Sequence, residues 1–250
     1  MAYNHGEQKE KIISDKINKK LFKNLDGNSK MIVSTIFPHV KPNDMLISGI
    51  VEEYIKPDIY IALNDETHYI SIKTGVSNNL HQEYLDKFCT VLKEKGISDK
   101  TIRTIRLFHY GDSTTDGTGK EIKSDITIRK ELEEDFKEAN IELNKDRKIV
   151  VDLIYRFIFK GTKKENIEAD YIYHGEPNYG IIVSKNQVMK QVEMKTYSFY
   201  NNIHIGPVMF RPHSRSSHKS EKYPMYRQKM DFYWPNFIND LKYIKDHYIR

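Results

Sequence analysis

Cysteine is nearly absent from this sequence, which has only Cys89 among its 250 residues. A single thiol excludes a disulfide within the chain and a zinc cluster built from cysteines, so any metal must bind oxygen or imidazole ligands. Long apolar runs are also missing. None reaches the roughly 18 to 20 residues of a membrane-spanning helix, and the N-terminal stretch MAYNHGEQKEK lacks the apolar core of a signal peptide. We therefore expect a cytoplasmic protein that does not bind membranes.

No tract rich in glycine, proline and serine divides the chain, which contains 12 glycines and 8 prolines. The lack of a linker favours one domain over residues 1–250. Hydrophobic residues make up 38% of the sequence, which is enough to build a core. We expect a folded protein rather than a disordered one.

The net charge of +5 is small but unevenly distributed along the sequence. Residues 185–250 carry 12 Lys+Arg against 5 Asp+Glu, a net charge of +7, whereas the preceding residues have a net charge of −2. A polyanion would therefore be attracted mainly to the C-terminal part of the chain.

The spacing of apolar residues predicts an α/β protein. Between residues 46 and 74, β-branched and aromatic residues alternate with polar ones around Asn64-Asp65, which predicts two strands joined by a hairpin. Alternation after Ala169 predicts further strands. Helical spacing predicts helices over residues 7–25, 80–95, 98–109, 125–143, 147–159 and 236–247. This order of elements predicts a mixed β-sheet flanked by helices.

The residues with the clearest chemical use lie in the predicted hairpin. Asp58 follows Pro57 and opens the first strand, and Lys73 ends the second strand, so a hairpin register brings both to one edge. Alternation places Ser71 and Lys73 on one face and Ile72 on the opposite, core-facing side. A carboxylate at this edge can hold a divalent metal ion, while the ammonium group positions or helps to deprotonate a water that attacks a phosphate.

This stretch resembles the PD-(D/E)XK nuclease superfamily, whose fold is that of many type II restriction endonucleases. In that superfamily, Pro-Asp opens one strand, and a carboxylate, any residue and a lysine end the next. Pro57-Asp58 and Lys73 match the pattern, but Ser71 stands where the second carboxylate is expected. The resemblance covers roughly residues 5–95 by order of elements and a handful of positions by identity.

In some enzymes of this superfamily, a Ser-x-Lys strand is compensated by an acidic residue from the following helix. The sequence offers Glu83 and, three residues later, Asp86. We predict Glu83, because it falls in the first turn of the predicted helix, with Asp86 as the alternative. The superfamily often has a glutamate on the preceding helix that reaches the metal-bound water. Glu7 and Glu10 occupy such a helix here, and Glu10 is the candidate.

The resemblance implies a restriction-endonuclease-like core with additional C-terminal strands. Residues 1–110 would form the catalytic core, and residues 111–250 a helical insert and a basic DNA-binding part. Asp58 and Glu83 would hold Mg²⁺, for which Mn²⁺ can substitute, with Ile72 as a further metal contact and Lys73 acting on the attacking water. The implied activity is hydrolysis of DNA phosphodiester bonds at a specific duplex sequence by a homodimer.

Basic residues near the C-terminus are interspersed with Ser, His and Tyr, which suits contacts to phosphates and base edges. The predicted DNA-binding residues are Arg211, Arg215, Lys219, Lys222, Arg227 and Lys229. Two alternatives stay open. The departure at Ser71 is compatible with a DNA-binding module that has lost the chemistry, and the aromatic content is compatible with a nuclease acting on RNA or single strands.

Overall fold

The computed structural model describes residues 5–51, 56–75, 78–161, 167–198, 202–215 and 224–248. The helices are α1 His5–Ile17, α2 Gly27–Ile36, α3 Leu85–Glu94, α4 Asp99–Tyr110, α5 Asp125–Glu131, α6 Glu133–Lys145, α7 Arg147–Tyr155, α8 Lys185–Met194 and α9 Phe237–His247. The strands are β1 Lys20–Leu21, β2 Met45–Ile50, β3 Ile59–Leu63, β4 Glu66–Lys73, β5 Asn79–Tyr84, β6 Tyr171–Glu176, β7 Tyr179–Ser184, β8 His204–Ile205, β9 Val208–Pro212 and β10 Lys229–Tyr233. The protein is therefore of the mixed α/β class, as predicted.

Two compact units make up the chain, and each combines segments that are distant in sequence. The first unit comprises residues 1–78, 155–191 and 236–250, and the second comprises residues 79–154 and 192–235. The prediction of one domain divided at residue 110 stays a prediction. In the described ranges, no helix is both long enough and apolar enough to cross a bilayer.

The first unit contains a six-stranded mixed sheet in the order β1-β2-β3-β4-β6-β7. β4 and β6 run parallel, whereas the other neighbours are antiparallel. Alternate residues of β3 and β4, among them Ile61 and Ile72, are buried in one hydrophobic core with Ile13 of α1 and Val33 of α2. The period of two in these strands thus sets which face packs against the helices.

The hairpin predicted at Asn64-Asp65 is confirmed. β3 and β4 pair antiparallel from Leu63 opposite Glu66 to Ile59 opposite Ile70, which leaves a two-residue turn. Asn64 has a positive φ of 54°, a conformation that two-residue hairpin turns require and that asparagine tolerates. The register places the start of β3 beside the end of β4.

The second unit contains a four-stranded antiparallel sheet in the order β5-β10-β9-β8. The ring of Phe88 in α3 lies 5.1 Å from that of Phe210 and 4.9 Å from that of Phe232, which places α3 against one face of this sheet. Cys89 is buried in the same helix. The strands predicted near the C-terminus are confirmed as β8, β9 and β10.

Several predicted boundaries are wrong. The opening helix ends at Ile17 rather than near residue 25, because Lys19 adopts a positive φ of 55° and the chain then enters β1. The helix predicted over residues 125–143 is two helices, α5 and α6, which meet at Leu132. The helix predicted over residues 80–95 begins only at Leu85, since the residues before it pair with β10 as strand β5.

Candidate functional site

Asp58 is held against the end of strand β4. Its backbone N–H donates to the carbonyl of Ile70 over 2.9 Å, which extends the pairing of the hairpin by one residue. Its carboxylate Oδ2 accepts hydrogen bonds from the backbone N–H of Ile72 at 2.5 Å and from the hydroxyl of Ser71 at 3.2 Å. Both hydrogen bonds described for this carboxylate therefore end on one oxygen, and they fix its orientation.

Ser71 and Ile72 have distinct parts in this arrangement. Ser71 is fully buried, and its hydroxyl contacts Asp58 at the position where the superfamily pattern has a carboxylate. The side chain of Ile72 belongs to the hydrophobic core. Only the backbone of Ile72 is thus available to a metal ion.

Glu10 interacts electrostatically with this edge of the sheet. Burial in the first place, and then the charge of Asp58, raise the pKa of Glu10 to about 7, while the ammonium group of Lys73 opposes the shift. The carboxylates of Glu10 and Asp58 and the ammonium group of Lys73 therefore interact electrostatically. Glu10, Asp58 and Lys73, which the sequence predicted as parts of one site, lie within electrostatic range of one another, and their roles in metal binding and catalysis stay predictions.

Lys56 is a fourth charged residue of this site and was not predicted from the sequence. Burial, followed by repulsion from Lys73, lowers the pKa of Lys56 to about 7, whereas the charge of Asp58 acts in the opposite direction. The sequence feature that could have identified Lys56 is its position directly before Pro57-Asp58. We call Glu10, Lys56, Asp58 and Lys73 the Asp58 cluster.

The donor set of the Asp58 cluster fits a hard divalent cation. Mg²⁺ is commonly bound by one or two carboxylates, with waters and substrate phosphate oxygens completing its octahedron. Asp58 and Glu10 supply two carboxylates whose mutual repulsion a cation would relieve, and the backbone carbonyl of Ile72 could serve as a third oxygen donor. Among the described residues, no group of three or more His, Cys, Asp or Glu side chains is arranged to hold a metal. Any ion here would accordingly depend on waters and substrate.

Glu83 does not lie on a helix, contrary to the prediction. It belongs to β5 in the second unit, where it is buried opposite Met230 of β10 and its Oε1 lies 3.9 Å from Nε2 of His81. Asp86 is the residue that occupies the first turn of α3, and it is exposed and paired with Arg106 at 2.6 Å. The metal-binding roles of Glu83 and Asp86 stay predictions.

The predicted DNA-binding residues fall into three groups. Arg211 and Lys229 lie on the neighbouring strands β9 and β10, and the side chain of Arg211 is 51% exposed. Arg215 and Arg227 have only 10% and 12% of their side chains exposed. Lys219 and Lys222 lie outside the described residues.

The guanidinium groups of Arg215 and Arg227 bind other parts of the second unit. Arg215 donates to the carbonyls of Phe108 and His109 at the end of α4. Arg227 pairs with the buried carboxylate of Asp112 at 2.7 Å and also donates to a carbonyl of the loop over residues 111–119. These contacts tie that loop to the fold. Of the predicted DNA-binding residues that the structure describes, Arg211 and Lys229 are therefore better placed to meet a ligand than Arg215 and Arg227.

Comparison with known proteins gives no independent indication of function. No family model and no curated protein matches the chain. Its function therefore has to be inferred from the residues and their geometry.

Proposed function

We propose that this protein is a metal-dependent nuclease that hydrolyses DNA phosphodiester bonds on a restriction-endonuclease-like core. One observation carries the proposal: the hairpin register and the two hydrogen bonds to Asp58 place its carboxylate beside the end of β4, where Lys73 lies. Glu10 supports it, because its pKa responds to the charges of both residues.

The residues of the site have separable tasks in this proposal. Asp58 binds the metal in an orientation set by its hydrogen bonds, and Glu10 supplies the second carboxylate. Glu10 is favoured because the charge of Asp58 contributes to the raised pKa of Glu10. Lys73 holds its positive charge where a scissile phosphate and the attacking water would lie. Mg²⁺, when bound, acts as a Lewis acid on the phosphoryl oxygen and on the leaving oxygen.

Cleavage assays with matched variants test the proposal. Supercoiled plasmid and short labelled duplexes are incubated with Mg²⁺, with Mn²⁺ or with EDTA, and products are resolved on gels. We expect divalent-dependent cleavage that Asp58→Asn and Lys73→Gln both abolish. Asp15→Asn and Lys11→Gln are the controls, because these residues form an exposed ion pair on α1. Cleavage that persists in EDTA, or in Asp58→Asn, would refute the proposal.

A DNA-binding module without hydrolytic activity is the second candidate. It is favoured by Ser71 in place of a carboxylate and by the lack of a three-residue metal site among the described residues. It predicts salt-sensitive DNA binding with no cleavage under any metal. The same assays therefore distinguish the two candidates.

Specific cutting of duplex DNA by a symmetric homodimer is the finer form of the nuclease proposal. A palindromic site requires two copies related by a twofold axis, and such pairs are the commonest assemblies. Light scattering coupled to size exclusion, with and without a duplex, tests the dimer. Discrete fragments from a long plasmid, rather than a smear, would show sequence specificity.

A further inference from the structure

The sheet of the second unit has one face that is not covered by α3. In β10, the buried side chains of Met230 and Phe232 alternate with those of Lys229, Asp231 and Tyr233. The strand pairing sets Lys229 opposite Tyr84, and Asp231 opposite both Gln82 and Arg211. We call this the outer face, comprising Gln82, Tyr84, Arg211, Lys229, Asp231 and Tyr233.

Aromatic rings and cations alternate on and beside the outer face. Nζ of Lys229 lies 5.8 Å from the ring of Tyr84 and 5.2 Å from that of Tyr226. The guanidinium carbon of Arg211 lies 5.1 Å from the ring of Tyr233. Tyr84 is 45% exposed, although tyrosine rings are usually buried to a greater extent.

The one carboxylate of the outer face is covered by its neighbours. Asp231 accepts a hydrogen bond from Nε2 of Gln82 at 3.0 Å, and it lies 3.2 Å from Nδ1 of His213 and 3.6 Å from Nε of Arg211. The buried position of Asp231 keeps this negative charge away from solvent. The charges that a ligand meets at the outer face are therefore positive.

We infer that the outer face binds a single-stranded nucleic acid, whose unpaired bases stack on the tyrosine rings while Arg211 and Lys229 contact its phosphates. Positive charge alone would suit any polyanion, including a duplex. A duplex, however, hides the faces of its bases, so exposed rings contribute only when the bases are unpaired. This binding activity does not depend on hydrolysis at the Asp58 cluster.

Binding is measured by fluorescence anisotropy in EDTA, so that no divalent-dependent cleavage can occur. The probes are labelled oligo(dT) and oligo(rU) of about 20 nucleotides, and a DNA duplex of the same length, at several salt concentrations. We expect one or both single strands to bind more tightly than the duplex. Comparing the affinities for oligo(dT) and oligo(rU) shows whether DNA or RNA is the preferred ligand.

Two pairs of variants test the parts of the outer face separately. Tyr84→Leu should weaken single-strand binding about tenfold without changing its salt dependence, whereas Tyr84→Phe should retain binding. Lys229→Gln should reduce the slope of log K against log salt by about 0.7, the contribution of one phosphate contact. The controls are Tyr179→Leu, an exposed strand tyrosine of the first unit, and Lys190→Gln, whose amine lies 5.4 Å from the ring of Tyr248.

Thermal melts by circular dichroism establish that each variant is folded. If Tyr84→Leu does not fold, the inference is tested instead by the salt dependence of binding to Lys229→Gln. The inference is refuted if the duplex binds as tightly as both single strands, if folded Tyr84→Leu binds like Tyr179→Leu, or if Lys229→Gln keeps the wild-type slope. Loss of cleavage in Asp58→Asn with unchanged anisotropy would separate this surface from the proposed nuclease site.

Discussion

The hydroxyl of Ser71 donates a hydrogen bond to Oδ2 of Asp58 over 3.2 Å, although the two residues are 13 positions apart in the sequence. The serine thus contacts the predicted metal-binding carboxylate instead of supplying a carboxylate of its own. It shares this function with the backbone N–H of Ile72, which donates to the same oxygen.

Replacing Ser71 with alanine should remove one of the two hydrogen bonds that orient the carboxylate of Asp58, while the carboxylate itself stays in place. Because a buried hydrogen bond to a charged group is lost, we expect the free energy of unfolding in urea to fall by about 1 to 2 kcal/mol. Cleavage should slow but remain divalent-dependent. Ser34→Ala on α2 is the control, since the hydroxyl of this exposed serine donates to the carbonyl of Met31 in the same helix. Unchanged stability and rate would show that the Ser71 hydroxyl is dispensable.

Glu10→Gln tests whether α1 contributes the second carboxylate. If Glu10 helps to hold the metal, the Mg²⁺ concentration for half-maximal cleavage should rise by at least about tenfold, since a charged oxygen donor becomes neutral. Glu7→Gln is the matched control from the same helix, because Glu7 is more exposed and contributes least to the pKa shift of Glu10.

Glu83→Gln decides between the two candidate carboxylates. With Glu10 as the ligand, Glu83→Gln should leave the Mg²⁺ dependence close to that of the wild type. An increase in the Mg²⁺ requirement for Glu83→Gln alone would assign the second ligand to Glu83, as predicted from the sequence, and would contradict the role of Glu10.

Arg227→Met should destabilise the second unit rather than impair its ligand binding. The substitution leaves the carboxylate of Asp112 buried without its guanidinium partner. Because the pair is largely buried, we expect the free energy of unfolding to fall by about 3 kcal/mol. Lys137→Met breaks exposed ion pairs on α6 and should change the stability by less than about 1 kcal/mol. Urea unfolding of both variants measures the difference, and equal effects would contradict the structural role of Arg227.

His109 should make the protein sensitive to mild acid. Burial, together with the nearby charges of Arg215 and Arg227, lowers its pKa from 6.5 to about 4, although its ring bonds to the carbonyl of Arg227 at 2.7 Å. The unfolded chain therefore takes up a proton below pH 6.5 that the folded protein excludes. The neutral state of His109 therefore contributes about 3 kcal/mol to the free energy of unfolding. This contribution is fully present above pH 6.5 and is lost as the pH falls towards 4.

Urea unfolding between pH 4 and 7 measures this loss. His109→Gln has no titrating ring, so its stability should fall less steeply over the same interval. Parallel pH profiles for the wild type and the variant would show that other groups cause the acid sensitivity.

Local patterns in the sequence were sufficient to predict the central hairpin. The turn at Asn64-Asp65 and the alternation around it are properties of adjacent residues, and they fix the register that joins Asp58 to β4. The same holds for α4 and α9, whose spacing and ends are encoded within each helix. Asp58, Ser71 and Lys73 could be assigned to one edge for this reason.

Strand β5 could not be predicted in this way. Gln82 of β5 contacts Asp231 of β10, which is 149 positions away, and that distant partner decides that residues 79–84 form a strand. The apolar spacing of Leu80, Leu85 and Phe88 instead suggested one continuous helix. The role of Lys56 was not predicted either. Its lowered pKa depends first on burial in the folded protein, which the residues next to it in the sequence do not reveal.

Pairing of β5 with β10 has a consequence for the order in which the protein can fold during synthesis. Asp231 of β10 is synthesised 149 positions after Gln82 of β5, so the ring of Phe88 meets those of Phe210 and Phe232 only after a long delay. Contacts between such distant segments slow folding and leave apolar surface open in the meantime. The apolar side of α3 should therefore be exposed on the nascent chain, where a chaperone could bind it, until β9 and β10 have been made.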